Sequence, residues 1–300
     1  MKEKLQNLFH RYPALTAAGL TLFIGLALFV VMHHDKEEEE VVPEDIVVND
    51  TLALNIICMP TLESLPLYHA LEAGWCDSVG LQLGIHTELS QFDVDSIMRR
   101  TKRIDGAVFD NHRLEHYRSA HKTMKVAECI PLQGQWALVT SGKLRIREVS
   151  KLKKRVVASS RFSASSHLLE NSLRGSGLKI TDLYHAQIND FSLRSLMLDE
   201  SQVDASLLPE PYASAAVLRG HRVVWRSDSV ASQTLCFRNK AMADKRKEAQ
   251  IKLLRRAYGL AVRDLNAHGV HAADSALIKA YGLSSEKIDA LSLPHYRIPK

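Results

Sequence analysis

Arg103-Ile104-Asp105-Gly106-Ala107-Val108-Phe109 and, further along, Gln202-Val203-Asp204-Ala205-Ser206-Leu207-Leu208 are two copies of one pattern, an aspartate set just before an apolar run. The likeness extends outward from these copies. Ile56-Ile57-Cys58 and Val156-Val157-Ala158 precede them as short apolar runs, each followed by a polar turn, a helical stretch and a Gly-Leu step, Gly80-Leu81 and Gly177-Leu178. A repeat of this kind means one supersecondary unit used twice. The chain is therefore expected to form two similar α/β lobes, and two facing lobes enclose a cleft of the sort that holds small ligands.

The chain has 300 residues, 46% of them hydrophobic and 24% charged. That is enough apolar material for one large or two modest cores, and it is not the composition of a disordered chain. The net charge of +5 is small for this length and the two signs are interspersed, so no nucleic-acid partner is expected.

The N-terminal part reads differently. Residues 14–32 carry no charge, and at about 1.5 Å per helical residue they span roughly 28 Å, close to the hydrocarbon thickness of a bilayer. A cleaved signal sequence would have a shorter apolar stretch and an Ala-x-Ala-like site, which is missing here. Residues 1–34 are accordingly expected to be a short cytoplasmic segment and an uncleaved transmembrane anchor in the lipid bilayer. Lys2, Lys4 and Arg11 lie before the apolar run and Asp35 with Glu37 to Glu40 after it. This asymmetry places the folded part on the periplasmic side of a cell inner membrane. Residues 35–50, acidic and containing Pro43, suit a solvated linker.

Beyond the linker, strand signals at 54–59, 81–87 and 106–109 alternate with helical ones at 65–75 and 92–101, and strands follow at 126–130 and 136–140. The order then restarts, with strands at 156–158, 185–188 and 205–208 and helices at 165–174 and 192–198. Such alternation predicts largely parallel sheets covered by helices. A short strand at 235–238 and helices at 243–266 and 274–280 return to the first lobe. The lobes are thus expected at 51–138 with 230–300, and at 139–229. Between 240 and 263, basic residues are interleaved with Ile251, Leu254 and Tyr258, the pattern of an amphipathic helix with a solvated basic face. Cys58, Cys76, Cys129 and Cys236 have no metal-ligand spacing. Disulfides are open to them in an oxidising compartment, yet Cys58, Cys129 and Cys236 sit in apolar runs where a buried thiol behaves as a small hydrophobe.

In parallel α/β sheets, ligands gather beyond the carboxyl ends of the strands. The turn after the first strand offers Thr61, Glu63 and Ser64. Its counterpart in the second lobe offers Ser160, Arg161, Ser163 and Ser165, where hydroxyls and free N–H groups at a helix start suit an anion, although serine there also simply caps a helix. Other strand ends supply Gln91, Phe92, Asp110 and Glu210, the last in a turn stiffened by Pro209 and Pro211. Gln135 and Trp136 lie at the first passage between lobes, where an indole either covers part of a ligand or fills the core. His112-Arg113-Leu114-Glu115-His116 has the inverted zinc-protease spacing but no third ligand at a recognisable position, and reads as a solvated helix. Gly175-Ser176-Gly177 is a helix stop. No catalytic group, metal site or cofactor is expected.

Pro66-Leu67-Tyr68 with Ala70, Glu72 and Gly74, then Gly80-Leu81, Ile104-Asp105-Gly106-Ala107, and Val203-Asp204-Ala205 leading to Pro209-Glu210-Pro211-Tyr212-Ala213 carry a family resemblance. In order and spacing, over about residues 52–265, they resemble the substrate-binding proteins of ABC importers, in particular the family of sulfonate, taurine, nitrate and thiamine-precursor (pyrimidine) binding proteins. The resemblance implies an α/β, two-lobed periplasmic-binding-protein-like fold with a central cleft, here preceded by one transmembrane helix. It implies closure on a small anionic or heterocyclic ligand and delivery to an ABC permease. By position, the ligand would meet the 61–64 turn, Gln91, Phe92, Asp110, the 133–136 passage, the 160–165 turn and Glu210. Members are usually released or lipid-anchored, and small residues are common where this chain has Arg161-Phe162. A tethered sensory or scaffold subunit is therefore the alternative. Enzymes on the same fold act on cytosolic substrates, which an outward-facing anchor does not suit.

Overall fold

The structure is a computed structural model that describes residues 52–120 and 125–298. The apolar run at 14–32 and the linker at 35–50 lie outside the described residues. No helix among the described residues is long and apolar enough to cross a membrane.

Two five-stranded sheets organise the chain. The first contains β1 (Leu54–Cys58), β2 (Leu83–Thr87), β3 (Gly106–Asp110), β4 (Val126–Gly134) and β10 (Val230–Arg238) in the order β2-β1-β3-β10-β4. The second contains β5 (Trp136–Thr140), β6 (Val156–Ser159), β7 (Tyr184–Gln187), β8 (Ala205–Pro209) and β9 (Arg222–Arg226) in the order β7-β6-β8-β5-β9. The two quoted segments form β3 and β8, which hold the central position of their sheets. Both are buried throughout, as are β1 and β5, which is why these strands read as continuous apolar runs rather than as alternating ones.

The repeated aspartates have a shared structural task. Asp105 Oδ2 accepts the Asn55 N–H at 2.9 Å while the Asp105 N–H bonds the Asn55 carbonyl at 2.8 Å. Asp204 Oδ2 likewise accepts the Val156 N–H, and the Asp204 N–H bonds the Val156 carbonyl, both at 2.8 Å. Each aspartate thus pins the start of the neighbouring parallel strand and sets its register. Gly80 and Gly177 match as well, at φ +75° and +77°, a backbone that glycine adopts without steric cost.

The sheets are mixed where alternation predicts largely parallel ones. β1 pairs in parallel with β2 and β3, and β6 with β7 and β8, but β10 is antiparallel to β3 and β4, and β5 to β8 and β9. The antiparallel strands arrive directly from the opposite sheet, without the helical crossover that a parallel neighbour needs. The chain passes across at Gln135, between β4 and β5, and returns at residues 227–229, between β9 and β10. The first passage therefore precedes the expected division at 138/139.

The helices are α1 (Leu65–Glu72), α2 (Trp75–Ser78), α3 (Gln91–Arg100), α4 (Asn111–Ala120), α5 (Ala164–Leu173), α6 (Phe191–Asp199), α7 (Tyr212–Leu218), α8 (Asn239–Ala243), α9 (Lys245–His268), α10 (Asp274–Lys279) and α11 (Ser285–Asp289). The single helix expected at 65–75 breaks at Gly74, which turns left-handed. α9 buries Ile251, Leu254, Tyr258 and Val262 in one core with Leu67 and Tyr68 of α1 and with Leu54, Ile56 and Cys58 of β1, so the C-terminal part covers the first sheet. A smaller core lies on the second sheet, around Ala137, Val139, Ala158 and Leu208. All four cysteines are free, Cys58, Cys76 and Cys236 among them buried, and burial pushes the Cys58 thiol up to about 12.

The packing at β3 leaves no room for a side chain at Gly106, where a Cβ would lie 2.6 Å from the Phe237 ring and 2.8 Å from the Cys236 carbonyl oxygen. Gly106→Ala is expected to cost about 2 kcal/mol, because one obstacle is backbone and the ring is fully enclosed. Chemical denaturation checks this; an unchanged midpoint would mean that β10 shifts freely.

Candidate functional site

The carboxyl ends of β1, β3 and β8 and the start of α5 converge where the two sheets meet. Beyond β1, the chain turns into α1, whose helix begins with Pro66 in its first turn. This turn buries Thr61, Glu63 and Ser64 completely. Glu63 packs on the backbone of Gly134, where a Cβ would stand 2.2 Å from its carboxyl carbon. The Ser232 hydroxyl donates to Glu63 Oε1 at 3.2 Å and in turn accepts the Trp136 indole N–H at 3.2 Å. Glu63 Oε2 has no hydrogen bond of regular geometry, and neither do the Thr61 and Ser64 hydroxyls. Burial holds the Glu63 carboxyl up at about 7. Trp136 is 1% exposed and meets Phe191 edge-on at 5.6 Å, and Phe191 meets Tyr212 at 5.7 Å, forming an aromatic wall above this carboxylate.

Asp110 ends β3 and is buried. Its Oδ1 accepts the N–H groups of His112 at 3.0 Å and Arg113 at 3.1 Å, in the first turn of α4. The same carboxylate reaches across to the second half of the repeat, where the Ala164 N–H donates to Oδ2 at 2.8 Å and Oδ1 at 3.0 Å. Burial raises its carboxyl to about 6. Gln91 Oε1 accepts the Asp110 N–H at 3.2 Å, and its Nε2 donates to Asp95, which bonds Arg113 at 2.8 Å. Gln91 and Asp110 are thereby one network.

The serines of the 160–165 turn are engaged with each other. The Ser160 N–H donates to Ser165 Oγ at 2.8 Å, and the Ser163 hydroxyl donates to the Ser160 carbonyl at 2.7 Å. The Ser160 hydroxyl donates to the Ile188 carbonyl and accepts from Arg194 Nη2. Arg194 is fully buried, its Nε donating to Ile188 O at 2.7 Å and Nη1 to Leu207 O at 2.8 Å, with its guanidinium over the Phe191 ring at 5.0 Å. Nothing in the sequence marks this residue, since a lone arginine in a helix ordinarily faces water. Ser232 was equally silent, lying in a strand whose first half the apolar pattern omits.

Glu210 caps α7, accepting the Ser214 N–H at 2.9 Å and an Arg226 N–H, while its carbonyl takes the Leu62 N–H at 2.9 Å from the other sheet. The half-buried Gln135 takes the Glu210 N–H on its carbonyl at 3.1 Å. Phe92 and Arg161 are exposed, so these two stand apart from the buried group. His112 stacks on His167 at 4.7 Å and His116 on Phe162 at 4.4 Å. Among the described residues no cluster of three His, Cys, Asp or Glu could hold a metal ion.

Open space lies beside this network rather than within it. A chamber of about 430 Å³ is lined by Pro60, Thr87 and Leu89 from the ends of β1 and β2, by Ser192, Leu196 and Arg219 of the second half, by Tyr212, and by Tyr281, Leu283 and Lys287 of the C-terminal part. Arg219 is held there by Asp199 at 3.0 Å. Its lining is dispersed over distant segments, which is why only the turns at Pro60 and at Tyr212 were visible from strand ends.

Two mixed sheets of matched strand order, joined by two crossing segments with a polar cleft between them, are the architecture of the periplasmic substrate-binding proteins of ABC importers, and the chain has that fold. The periplasmic aliphatic sulphonate binding protein SsuA of Escherichia coli superposes with a TM-score of 0.64 at 18% identity, over 83% of this chain and 80% of that one. The periplasmic nitrate-binding protein NrtA of Synechocystis PCC 6803 does so with a TM-score of 0.68 at 13% identity, over 81% and 72%. A desulfurization enzyme, DszB, is similar too, with a TM-score of 0.59 at 14% identity over 82% and 86%. In sequence, an aliphatic sulfonates-binding protein of Escherichia coli K12 is 35% identical over 92 residues, a stretch covering 31% of this chain and 28% of that protein. No protein-family model matches the chain. The resemblance carried by the motifs thus holds at the level of the fold.

Proposed function

We propose that the chain is an extracytoplasmic solute-binding protein that captures a small anionic or heterocyclic ligand between its two lobes for an ABC permease. In this reading residues 14–32 tether it in the inner membrane and the folded body stands in the periplasm. The lobes are the two sheets with their helices, meeting at Gln135 and at residues 227–229. The chamber of about 430 Å³ between strand ends of both halves carries the proposal, since its size suits a small molecule. Lys287 brings an ammonium to its rim, and Leu89, Leu196 and Leu283 bring apolar surface. A compact organic anion with an apolar body fits that lining better than nitrate does. Thr61, Glu63, Ser64, Gln91 and Asp110 are buried beside this chamber and do not line it.

The test is thermal denaturation of the full chain in detergent with sulfonates, nitrate, small carboxylates and thiamine-pathway pyrimidines. A ligand at 100 times its Kd adds about 2.7 kcal/mol. Leu196→Trp, placed on an exposed side chain of the chamber, is expected to weaken that ligand at least ten-fold without moving the unliganded midpoint. An undiminished affinity would put the ligand elsewhere, and no shift with any class would favour a tethered sensory or scaffold subunit. That second reading draws on Asp110, which fills the helix start where a solute's anionic group was expected. Conversion of a bound compound would instead place the chain beside the enzymes of this fold.

A further inference from the structure

Two helix N-termini face one another across the cleft, and one carboxylate lies between them. The N-terminus of α4 carries His112 and Arg113 N–H groups and that of α5 carries Ala164 N–H, and all three point at Asp110. The positive ends of two helix dipoles brought this close repel unless an anion separates them. With the carboxylate in place, repulsion becomes a bridge between halves of the repeat. Flanking contacts follow the same line, since His112 and His116 of α4 stack on His167 and Phe162 at α5. Phe162 sits at φ +53°, a left-handed backbone that a bulky side chain adopts only at a steric cost. The strained turn delivers its ring onto His116. Ser90 and Asp190, cap residues of α3 and α6, add a backbone bridge between the halves.

We propose that Asp110 is an internal latch: its carboxylate takes the place at the start of α5 that an external anion would take, and so holds the two halves of the cleft together from within the chain. The latch acts whether or not a solute is carried, so its test is independent of the solute-binding proposal. An anionic ligand seeking the 160–165 turn must displace Asp110, and the chamber at the other side of the cleft stays open to solute while the latch is closed.

Two variants cut the bridge from opposite sides. Asp110→Ala removes the acceptor. Ala164→Pro removes the donor at the first helical position, where proline is well tolerated, and Ser163 before it already has extended backbone, φ −134° and ψ 167°. Hydrogen exchange of the full chain, read by mass spectrometry, should rise at least ten-fold in residues 160–168 for Asp110→Ala and in residues 110–116 for Ala164→Pro, each on the side that was not mutated. Inorganic sulfate provides the second readout. It should raise the melting temperature of Asp110→Ala, whose helix start is now free, and leave the unmodified chain and Ala164→Pro unmoved. Exchange that changes only around the mutated residue, or equal stabilisation of all three proteins by sulfate, would overturn the latch. If Asp110→Ala fails to fold, Ala164→Pro alone decides through residues 110–116.

Discussion

Arg194→Met is expected to lower the unfolding free energy by about 4 kcal/mol, measured by denaturant titration at pH 7. The guanidinium is 0% exposed and donates to two backbone carbonyls, of Ile188 and Leu207, and to the Ser160 hydroxyl. Methionine fills a similar volume but removes the cation's donation to all three acceptors, leaving the Ile188 carbonyl with the Ser160 hydroxyl alone, at about 1–3 kcal/mol for each buried group left unsatisfied. Removing a buried cation also removes its desolvation cost, which is large enough to bring the Arg194 pKa down to about 9. That relief offsets part of the loss and keeps the expectation at the middle of the range. Arg194→Lys should recover less than half, because one ammonium cannot reach three acceptors in the plane of a fork. A loss below 1 kcal/mol for the methionine variant would show that water or a neighbour replaces the guanidinium.

The second large effect is a dependence on pH. Glu63 has its folded pKa at about 7 against an ordinary 4.5, because burial disfavours the carboxylate. Between these values the folded chain holds a proton that the unfolded chain has released. The stability tied to that proton is complete below about 4.5 and is lost as pH rises through 7, a difference of about 3 kcal/mol at 1.36 kcal/mol per unit. Asp95, raised by burial to about 6 from 3.8, acts in the same direction. The chain should therefore melt at a higher temperature at pH 5 than at pH 8. Glu63→Gln mimics the neutral acid, so it should stabilise at pH 8, change little at pH 4.5 and flatten the slope between. An unaltered slope in this variant would mean that Glu63 is solvated or otherwise compensated.

Much of the framework was legible because it rests on local or repeated patterns. The aspartate before each apolar run, the glycine steps and the strand–helix alternation recur in both halves, and each has a near-neighbour cause: a pinned strand start, a left-handed turn, a buried strand. β9 and α7 were missed because a partly exposed edge strand and a short alanine-rich helix leave weak signals. β10 was seen only at its apolar end, since Ser232, Gln233 and Thr234 are polar residues buried by position rather than by character.

The candidate site divides in the same manner. Thr61, Glu63, Ser64, Gln91, Asp110 and Glu210 are named by their places after strands and Trp136 by the passage between lobes, and the structure buries all of them. What they do there could not be read. Asp110 looked like one more strand-end carboxylate, and the 160–165 serines looked like a receptor for an anion; only their juxtaposition makes the first the occupant of the second. Arg194, Ser232 and the chamber lining likewise acquire meaning through residues far away in sequence. The sequence by itself determined the repeated α/β units, the strand-end turns and the class of fold, because these follow from periodicity and turn chemistry within a few residues. The tertiary structure alone decided the antiparallel crossing strands, the shared carboxylate between two helix starts and the position of the open chamber. Those depend on how two halves of the chain approach one another, and the groups involved compete for hydrogen bonds only after they meet.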